Sequence, residues 1–403
     1  MNKLLVLGGG ILQLDVIKKA KELNISTIVI DGNKNAEGLK YADFAYVEDI
    51  TNSNLILEIA TNEKVTGVIH PCSEVAMHVL GMINDQLNLC GISYRTALNA
   101  TDKIQMRHCF EKFGAPSPFS TNTNNFNDFL TIIKTFNEKV IVKPSRNSGS
   151  RGITLLTGDE SNEILLDAFK FAMNNSRDNL IVMEEYVEGA EFSVELILFD
   201  KEIHIITVTD KKTTNAPHFI EIGHSQPSLY SVEIINLVKD AAIQGCLALN
   251  LDWCAAHAEI KICNNKAIII EIGARLGGDF IATVLTFLST GIDMIEASIQ
   301  IALGNRPDLS AKKKGTGTAI RYFTPKPGVL SSLMISEKIL NHSDLYNINI
   351  YKHIGDEILE LNSSSNRSGH VITTNNNVLS AIETAEYLVE CINYEIEPII
   401  MIN

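Results

Sequence analysis

The first ninety residues alternate between short apolar runs and segments with apolar positions at helical spacing. Apolar runs cover residues 2–7, 26–30 and 65–69, and the helical patterns lie over 14–23 and 53–62. Gly8-Gly9-Gly10 stands at the first strand-to-helix turn. Such alternation predicts βαβ units, so we expect residues 1–98 to form a small, doubly wound, Rossmann-like α/β domain.

The pattern changes in the middle of the chain, where strands predominate. Asp102 is a typical N-cap for a helix over 103–113, which ends at Gly114. The remaining elements are expected as strands at 140–142, 153–156, 180–184, 192–199 and 203–209, and as helices near 161–173 and 231–248. A third region follows residue 310, with strands expected around 316–323 and 350–360 and a helix near 379–391. The fold class is therefore α/β, with an α+β central part.

Composition excludes several classes of protein. The 403 residues are 45% apolar and 20% charged, which is ordinary for a globular chain. The net charge, 34 − 48 = −14, argues against a nucleic-acid or anionic-membrane surface. No run approaches the roughly 18 apolar residues of a membrane span, and we interpret residues 2–7 as a strand, not a signal peptide. Seven cysteines without a CxxC pair favour a reduced, cytoplasmic protein.

The glycines of the first turn do not make a convincing dinucleotide site. A Rossmann fingerprint needs G-x-G-x-x-G, but Ile-Leu-Gln follows Gly10 where the last glycine is required. A glycine at this turn is also needed simply for close packing, so Asp31 is not expected to bind a ribose.

The strongest candidate chemistry lies in a hairpin over 257–273. Two β-patterned runs flank Asn264-Asn265. A two-residue turn would pair Glu259 with Ile270, whereas a three-residue turn would pair Glu259 with Glu271 on one face. Facing carboxylates repel, so the second register implies a compensating cation such as Mg²⁺. The alternative is that one glutamate points to solvent.

Two further segments carry weaker signals. A strand delivers Lys143 to the Gly/Ser loop 147–152, whose small residues would let backbone N–H groups approach phosphate oxygens. It is not a P-loop, because no GK[ST] opens a helix, and an ordinary hairpin loop is the alternative. Residues 182–195 leave a strand through an acidic, aromatic turn, in which Glu191 could equally be a solvated charge.

In this order, the three segments resemble the ATP-grasp superfamily over about residues 1–330. The resemblance is greatest to the carboxylate–amine ligase branch that includes L-amino-acid ligases, and biotin carboxylase is a more distant relative. It implies a pre-ATP-grasp domain over 1–98, an ATP-grasp domain over 99–310 with a lid at about 115–187, and a C-terminal domain over 311–403.

The resemblance also implies roles for individual residues. Its expected ATP-binding residues are Lys103, Lys143, Ser148, Gly149, Ser150, Gly152, Glu184, Glu185, Tyr186, Val187 and Glu191. Glu259 and Glu271 would hold Mg²⁺ or Mn²⁺. Arg275, Lys143 and Lys211 would be catalytic, since they would neutralise charge on the phosphates. One departure from the family pattern is Gly273, where relatives often have an asparagine metal ligand, so the number of metal ions is left open.

Substrate binding is expected at Glu74, Arg275, Gly277, Gly278 and Arg321. Glu74 follows a strand end, where α/β sheets bind ligands, but it could also be an ordinary helix-start charge. Arg321 resembles the arginine that this branch offers to a substrate carboxylate. Among the remaining candidates, Arg367 resembles the closing C-terminal element of carboxylase-type relatives, and a packing role alone is the alternative. His257 and His224 are expected to be structural or to support ligands.

The resemblance implies an enzyme that uses ATP and Mg²⁺ to convert a carboxylate into an acyl phosphate, which an amine then attacks. Two alternatives remain open, namely a carboxylase that activates bicarbonate and a nucleotide-binding regulator without turnover. The expected partners are small-molecule acids and amines, with no nucleic acid and no membrane, and relatives are often homodimers.

Overall fold

The computed structural model describes residues 2–147, 149, 151–214 and 216–398. Ser148 and Ser150, both expected in the ATP-binding loop, lie outside the described residues. The strands are β1 Lys3–Leu7, β2 Ser26–Ile30, β3 Phe44–Tyr46, β4 Gly67–Ile69, β5 Ser120–Thr123, β6 Val140–Pro144, β7 Thr154–Leu156, β8 Ile181–Glu185, β9 Ala190–Phe199, β10 Glu202–Thr213, β11 Glu221–Gln226, β12 Cys254–Cys263, β13 Lys266–Gly273, β14 Gly317–Phe323, β15 Gly328–Met334, β16 Leu345–Ile350, β17 Glu357–Ile358, β18 Gly369–Asn375 and β19 Asn393–Glu397. The α-helices are α1 Ile11–Glu22, α2 Ser53–Glu63, α3 Met77–Leu87, α4 Tyr94–Thr101, α5 Lys103–Phe113, α6 Phe126–Ile132, α7 Asn162–Asn174, α8 Val232–Ala248, α9 Thr286–Thr290, α10 Met294–Ala302, α11 Glu337–Leu340 and α12 Val378–Glu390.

The chain divides into two units, and the first contains residues 1–118, 192–208 and 232–314. Its N-terminal sheet has the order β3-β2-β1-β4, in which each strand runs parallel to its neighbour. The strands of a parallel sheet are buried on both faces, which accounts for the continuous apolar runs of the sequence. The expected Rossmann-like arrangement is therefore confirmed.

The rest of the first unit is built on β13, β12, β9 and residues 202–208 of β10, which are neighbours in this order. Helix α8 packs against β13 so closely that a Cβ on Gly245 would lie 2.3 Å from Ile272 Cδ1. Apolar side chains of α1, β1, β9 and α10 share one buried cluster. The predicted helix over 103–113 is confirmed: Asp102 caps its N-terminus, and Gly114 ends it with a φ of 71°.

The second unit contains residues 119–191, 209–231 and 315–403. Strands β5-β8-β6-β7 form an antiparallel sheet, against which α6 and α7 pack around a buried core that includes Phe129 and Phe169. Residues 209–213 of β10 are followed by β11-β14-β18-β16, and β17-β15-β19 make a small separate sheet. This mixture of sheets is the α+β architecture expected after residue 139.

One prediction for the C-terminal region was wrong. A strand was expected over 350–360, but β16 ends at Ile350 and β17 contains only Glu357 and Ile358. A turn interrupts the segment, in which Asp356 N donates to His353 O and Gly355 has a φ of 96°. A positive φ suits glycine and breaks an extended chain. The sequence analysis also missed β15, β18 and β19, which were given no assignment.

No helix within the described residues is, on its own, both long and apolar enough to span a membrane. The pair Ile281–Thr290 and Met294–Ala302 meets the length and composition criteria only when taken together, and its members meet at 120°.

The N-cap of α10 offers a test of how this buried helix is stabilised. Asp293 accepts a hydrogen bond from Glu296 N at 2.9 Å and pairs with Lys19 Nζ at 3.2 Å. We expect Asp293→Ala to lower the free energy of unfolding by about 1–2 kcal/mol, because both contacts are lost. Asp293→Asn retains the cap and should cost less than about 0.5 kcal/mol. Urea denaturation measures both, and equal losses would show that the cap is not the main contribution.

Candidate active site

The β12–β13 hairpin brings two glutamates of the first unit directly opposite each other. Its turn has two residues, Asn264 and Asn265, with φ values of 50° and 58°, as a type I′ turn requires. Such a turn alone would pair Glu259 with Ile270. The pairing shifts by one residue beside Glu259, however, so that Glu259 lies opposite Glu271 and Ile270 is the extra residue of a β-bulge. The turn therefore has two residues, but Glu259 still pairs with Glu271, as the sequence analysis expected only for a three-residue turn.

Helix α5 holds this bulge in place through Arg107. The Arg107 side chain is buried, and its Nη2 donates to the carbonyl oxygen of Ile270 at 2.6 Å. A bulge residue is left out of the regular ladder, so its carbonyl needs a donor from elsewhere. Arg107 supplies that donor.

The same helix face supplies a cation to the facing carboxylates. Lys103 precedes Arg107 by four residues, a spacing that places both side chains on one side of a helix. Lys103 Nζ lies 3.1 Å from Glu271 Oε1, and its side chain is only 6% exposed. On the other carboxylate, His257 Nε2 lies 3.5 Å from Glu259 Oε1. Each glutamate therefore has its own cationic neighbour, which offsets part of their mutual repulsion.

The donor set of the hairpin suits a hard divalent cation. Glu259 and Glu271 are 26% and 20% exposed, so both carboxylates are partly accessible to a ligand. Within the described residues, no group of three or more Asp, Glu, His or Cys side chains is arranged to hold a metal ion. Mg²⁺ at nucleotide sites commonly takes only one or two carboxylates and completes its shell with phosphate oxygens and water. The pair therefore fits Mg²⁺ or Mn²⁺ bound together with a nucleotide.

Arg275 is fixed by a buried ion pair beside the hairpin. Its Nη2 lies 2.7 Å from Oε1 of Glu74, and its Nη1 donates to Leu276 O at 3.2 Å. Burial disfavours the charge on Arg275, but the Glu74 carboxylate outweighs it, and the pKa of Arg275 is raised above its ordinary value. A Cβ on Gly273 would lie 3.3 Å from three atoms of the Arg275 side chain, so glycine at this position leaves room for the guanidinium.

A fully buried carboxylate, Glu195 on β9, joins the remaining residues of the first unit's site. Its Oε1 lies 2.5 Å from His257 Nδ1, and its Oε2 accepts from Gly277 N at 3.2 Å. Burial by itself would lower the pKa of His257, but Glu195 raises it to about 9. A Cβ on Gly277 would lie 2.7 Å from both Glu195 Oε1 and His257 Nδ1, whereas one on Gly278 would meet nothing within 4 Å. Close approach therefore requires glycine only at Gly277.

In the second unit, Lys143 and Glu184 form a buried ion pair. Strand β6 pairs with β8 so that Ile141 lies opposite Glu184, which places Lys143 diagonally across from Glu184 on the same face. Their Nζ and Oε2 atoms are 2.5 Å apart, and both side chains are less than 10% exposed. Without a bound anion, Glu184 thus neutralises the lysine that was expected to contact phosphate.

The glycines of the adjoining loop have different constraints. Gly149 and Gly152 have φ values of 72° and 77°, which favour glycine. A Cβ would meet nothing at Gly149, but at Gly152 it would lie within 2.8 Å of both Asn175 and Pro144. Gly152 is therefore needed for packing at the base of the loop, while Gly149 is exposed.

The expected adenine-binding segment is tied to two neighbouring loops. Glu185 N donates to Phe119 O at 3.1 Å, and Tyr186 N donates to Lys139 O at 2.9 Å. The Tyr186 ring also lies 5.6 Å from the ring of Phe219. Because these two amides already have carbonyl partners, the Val187 amide is the better candidate for a donor to an adenine ring.

Lys211 lies between two carboxylates, one of which the sequence analysis did not identify. Its Nζ is 2.6 Å from Glu191 Oε1 and 3.6 Å from Glu221 Oε1, with the lysine side chain 2% exposed. Glu221 in turn accepts a hydrogen bond from Ser364 Oγ. A lysine so completely enclosed stays charged only with such partners.

The two arginines of the C-terminal region are held mainly by protein groups. Arg321 is buried, pairs with Glu386 at 3.0 Å, and donates to the carbonyl oxygen of His224. Arg367 stacks on the ring of Tyr322, with its Cζ 3.7 Å from the ring centroid, and it donates to Glu221 O. These contacts assign packing to Arg367 and leave a substrate role for Arg321 as a prediction.

Three residues of the site were missed or left without a role: Arg107, Glu195 and Glu221. Glu195 had a readable signal, because a lone acidic residue interrupts the apolar strand Phe192–Phe199 on the face that should be buried. Arg107 and Glu221 had no such signal in the sequence. Arg107 contacts a bulge at Ile270, and Glu221 contacts Ser364, and both partners are distant along the chain.

Two segments of the chain match models of known protein families. Residues 136–283 match the model for an ATP-grasp domain, and the chain therefore contains an ATP-grasp domain, which confirms the resemblance. Residues 321–397 match the L-amino acid ligase C-terminal domain 2. Both matches agree with the resemblance that the sequence motifs indicated.

Individual relatives agree with this assignment. Alanine–anticapsin ligase of Bacillus subtilis (strain 168) is 29% identical over 214 residues, or 48% of this chain and 45% of the relative. The L-amino acid ligase of Bacillus licheniformis has a similar structure, with a TM-score of 0.84 at 16% identity over 98% and 99% of the two chains. Phosphoribosylglycinamide synthetase of Anaerococcus prevotii has a TM-score of 0.77 at 24% identity over 98% and 100%. The chain spans about half the length of the curated relatives it matches.

The hydrogen bond from Arg107 to the Ile270 carbonyl predicts that loss of Arg107 lowers stability more than loss of the exposed Arg95. Arg107→Met keeps the length and apolar character of the side chain but leaves the Ile270 carbonyl without its donor. We expect the free energy of unfolding to fall by about 1–3 kcal/mol. Arg95→Met removes an exposed arginine that donates a long, 3.5 Å hydrogen bond to Gln105, and it should cost less than about 0.5 kcal/mol. Equal effects in urea denaturation would contradict the role given to Arg107.

Proposed function

We propose that the chain is an ADP-forming ligase that activates a carboxylate with ATP and joins it to an amine. The observation that carries the proposal is the Glu259–Glu271 pair, held face to face with Lys103 and Arg275 close to it. Two carboxylates and two fixed cations suit an assembly of metal ion, phosphate and substrate carboxylate. The ATP-grasp match and the L-amino acid ligase match support the same reaction class.

Residues of the first unit would serve the reacting groups. Glu259 and Glu271 would hold Mg²⁺ or Mn²⁺, which when bound withdraws charge from phosphate oxygens. Arg275, oriented by Glu74, would bind the acyl phosphate as it forms, and Gly277 and Gly278 would let the substrate approach the backbone. Lys103 would exchange its contact with Glu271 for one with an ATP phosphate.

Residues of the second unit would serve the nucleotide. Lys143 and Lys211 would contact phosphate oxygens, and the loop that contains Gly149 and Gly152 would cover them. Val187 would bind adenine through its amide, and Glu191 would bind the ribose hydroxyls. These roles are supported by the buried pairs Lys143–Glu184 and Lys211–Glu191, which hold both ammonium groups in fixed positions.

The proposed reaction has two steps. A carboxylate oxygen attacks the γ-phosphorus of ATP, the bond from that phosphorus to the bridging oxygen breaks, and ADP leaves. The amine nitrogen then attacks the carbonyl carbon of the acyl phosphate, loses a proton, and displaces inorganic phosphate to leave an amide. Little covalent chemistry falls to the protein, so positioning and electrostatic stabilisation would account for most of the rate.

Three further properties belong to this proposal. We infer that both substrates are small molecules and that at least one is an amino acid, because of the match to an L-amino acid ligase domain. The seven cysteines are free, in keeping with a reducing compartment such as the cytoplasm. A homodimer, as in many relatives, is also proposed.

The product assay tests the proposal directly. The chain is incubated with Mg-ATP and pooled amino acids, dipeptides or bicarbonate, while ADP release is followed and products are identified by mass spectrometry. We expect ADP release that depends on an acid and an amine together, with a new amide of matching mass. ADP release with bicarbonate alone would contradict the ligase and favour a carboxylase. ATP binding without ADP release in any mixture would favour a regulator.

Substitution of either facing glutamate should remove activity without removing the fold. We expect Glu259→Gln and Glu271→Gln each to lower the rate of ADP formation at least about a hundredfold, because each loses a charged ligand for the metal. Glu37→Gln, an exposed glutamate of the same unit that pairs only with Lys40 in the described structure, is the control and should retain the rate. Wild-type turnover in both site variants would rule out the metal assignment.

A further inference from the structure

Glu195 and His257 are buried charged groups for which the proposed reaction has no direct use. Glu195 has no exposed side-chain surface, and His257 is 7% exposed. A charged pair buried at this depth carries a substantial desolvation cost, and replacing it by apolar residues is often neutral or stabilising. Stability alone therefore gives no reason for its presence.

The contacts of His257 point in two directions. Its Nδ1 faces Glu195 Oε1 at 2.5 Å, and its Nε2 faces Glu259 Oε1 at 3.5 Å. Both ring nitrogens of His257 therefore face a carboxylate oxygen. The imidazole thereby links a fixed buried carboxylate to one that is partly exposed.

The strand geometry of the hairpin places the His257 and Glu259 side chains on the same face. His257 and Glu259 are two residues apart on β12, so their side chains lie on one face, and Gly273 is opposite His257. The absence of a side chain at Gly273 leaves room on this face for the Arg275 side chain. His257 therefore lies beside one oxygen of the Glu259 carboxylate, which is partly exposed.

Glu195 has a second contact, which ties the Arg275–Gly278 segment to the same link. Its Oε2 accepts from Gly277 N at 3.2 Å. A Cβ on Gly277 would lie within 2.8 Å of both Glu195 oxygens and of His257 Nδ1. Glu195 thus contacts the segment that contains Arg275 directly, and it reaches Glu259 through His257.

We propose that His257 is a positioning residue for the metal ligand Glu259, and that Glu195 fixes the ring and couples it to the backbone at Gly277. The inference rests on the proposed function, because it takes Glu259 to be a metal ligand. Partners of this kind orient the ligand that they contact, and their loss typically lowers metal affinity 10- to 100-fold.

The test measures binding of Mn²⁺ in the presence of ADP by electron paramagnetic resonance, without either organic substrate. Wild type, Glu195→Gln, His257→Gln and the double variant are compared. Glu195→Gln keeps the volume of the side chain, so it carries the test if His257→Gln fails to fold. Asp293→Ala, a destabilised variant at the N-cap of α10, controls for loss of stability.

We expect each single variant to weaken Mn²⁺ binding about 10- to 100-fold. We expect the double variant to be no weaker than the worse single variant, because the two residues act in series through one link. Asp293→Ala should bind Mn²⁺ within about threefold of wild type.

Several results would overturn the inference. Single variants that bind Mn²⁺ as tightly as wild type would show that His257 and Glu195 only pack. Additive losses in the double variant would show that they act separately. A wild-type chain that binds no Mn²⁺ with ADP would overturn the proposed metal role of Glu259, and this inference with it, whereas normal wild-type binding with unaffected variants would overturn this inference alone.

Discussion

The repulsion between Glu259 and Glu271 is the constraint on which the first unit's site depends. Two carboxylates directly opposite each other on an antiparallel pair destabilise the hairpin unless positive charge lies close by. The structure meets this requirement with Lys103 on α5 beside Glu271 and His257 on β12 beside Glu259. Arg107, also on α5, holds the bulge at Ile270 that keeps the two glutamates opposite each other. Both carboxylates are also partly exposed, and a ligand that binds between them must be positively charged. The pair therefore suits a divalent cation.

The same arrangement of paired charges recurs in the second unit. Lys143 is held by Glu184, and Lys211 by Glu191 and Glu221, and both lysine side chains are almost completely buried. Buried pairs of this kind contribute little net stability, since desolvation offsets much of their attraction. Their effect in a nucleotide-binding protein would be to keep each lysine charged and oriented before phosphate arrives, at little cost of reorganisation.

Much of this could be predicted from the sequence, for identifiable reasons. The Rossmann-like start and helix α5 follow from apolar periodicity and from the residues Asp102 and Gly114, which act locally. The hairpin could be predicted, but not its register. Asn264-Asn265 favours a two-residue turn, which by itself does not place Glu259 opposite Glu271. A bulge at Ile270 is also required, and the uniform run Ile268 to Ile270 gives no indication of where a bulge would form.

The remaining differences also arise from contacts between distant residues. The strand expected over 350–360 is interrupted at Gly355, whose positive φ depends on the turn around it. The partners of Lys211 include Glu221, which the sequence does not mark as special. Identification of the acid and the amine requires side chains on loops, where chemistry varies without a pattern that can be read along the chain.

The most direct measurement is a crystal structure with Mn²⁺ and ADP, with anomalous scattering recorded at the manganese edge. The account predicts an anomalous peak within about 2.1 Å of carboxylate oxygens from both Glu259 and Glu271. A manganese ion bound by other residues, with these two carboxylates still held only by Lys103 and His257, would contradict it.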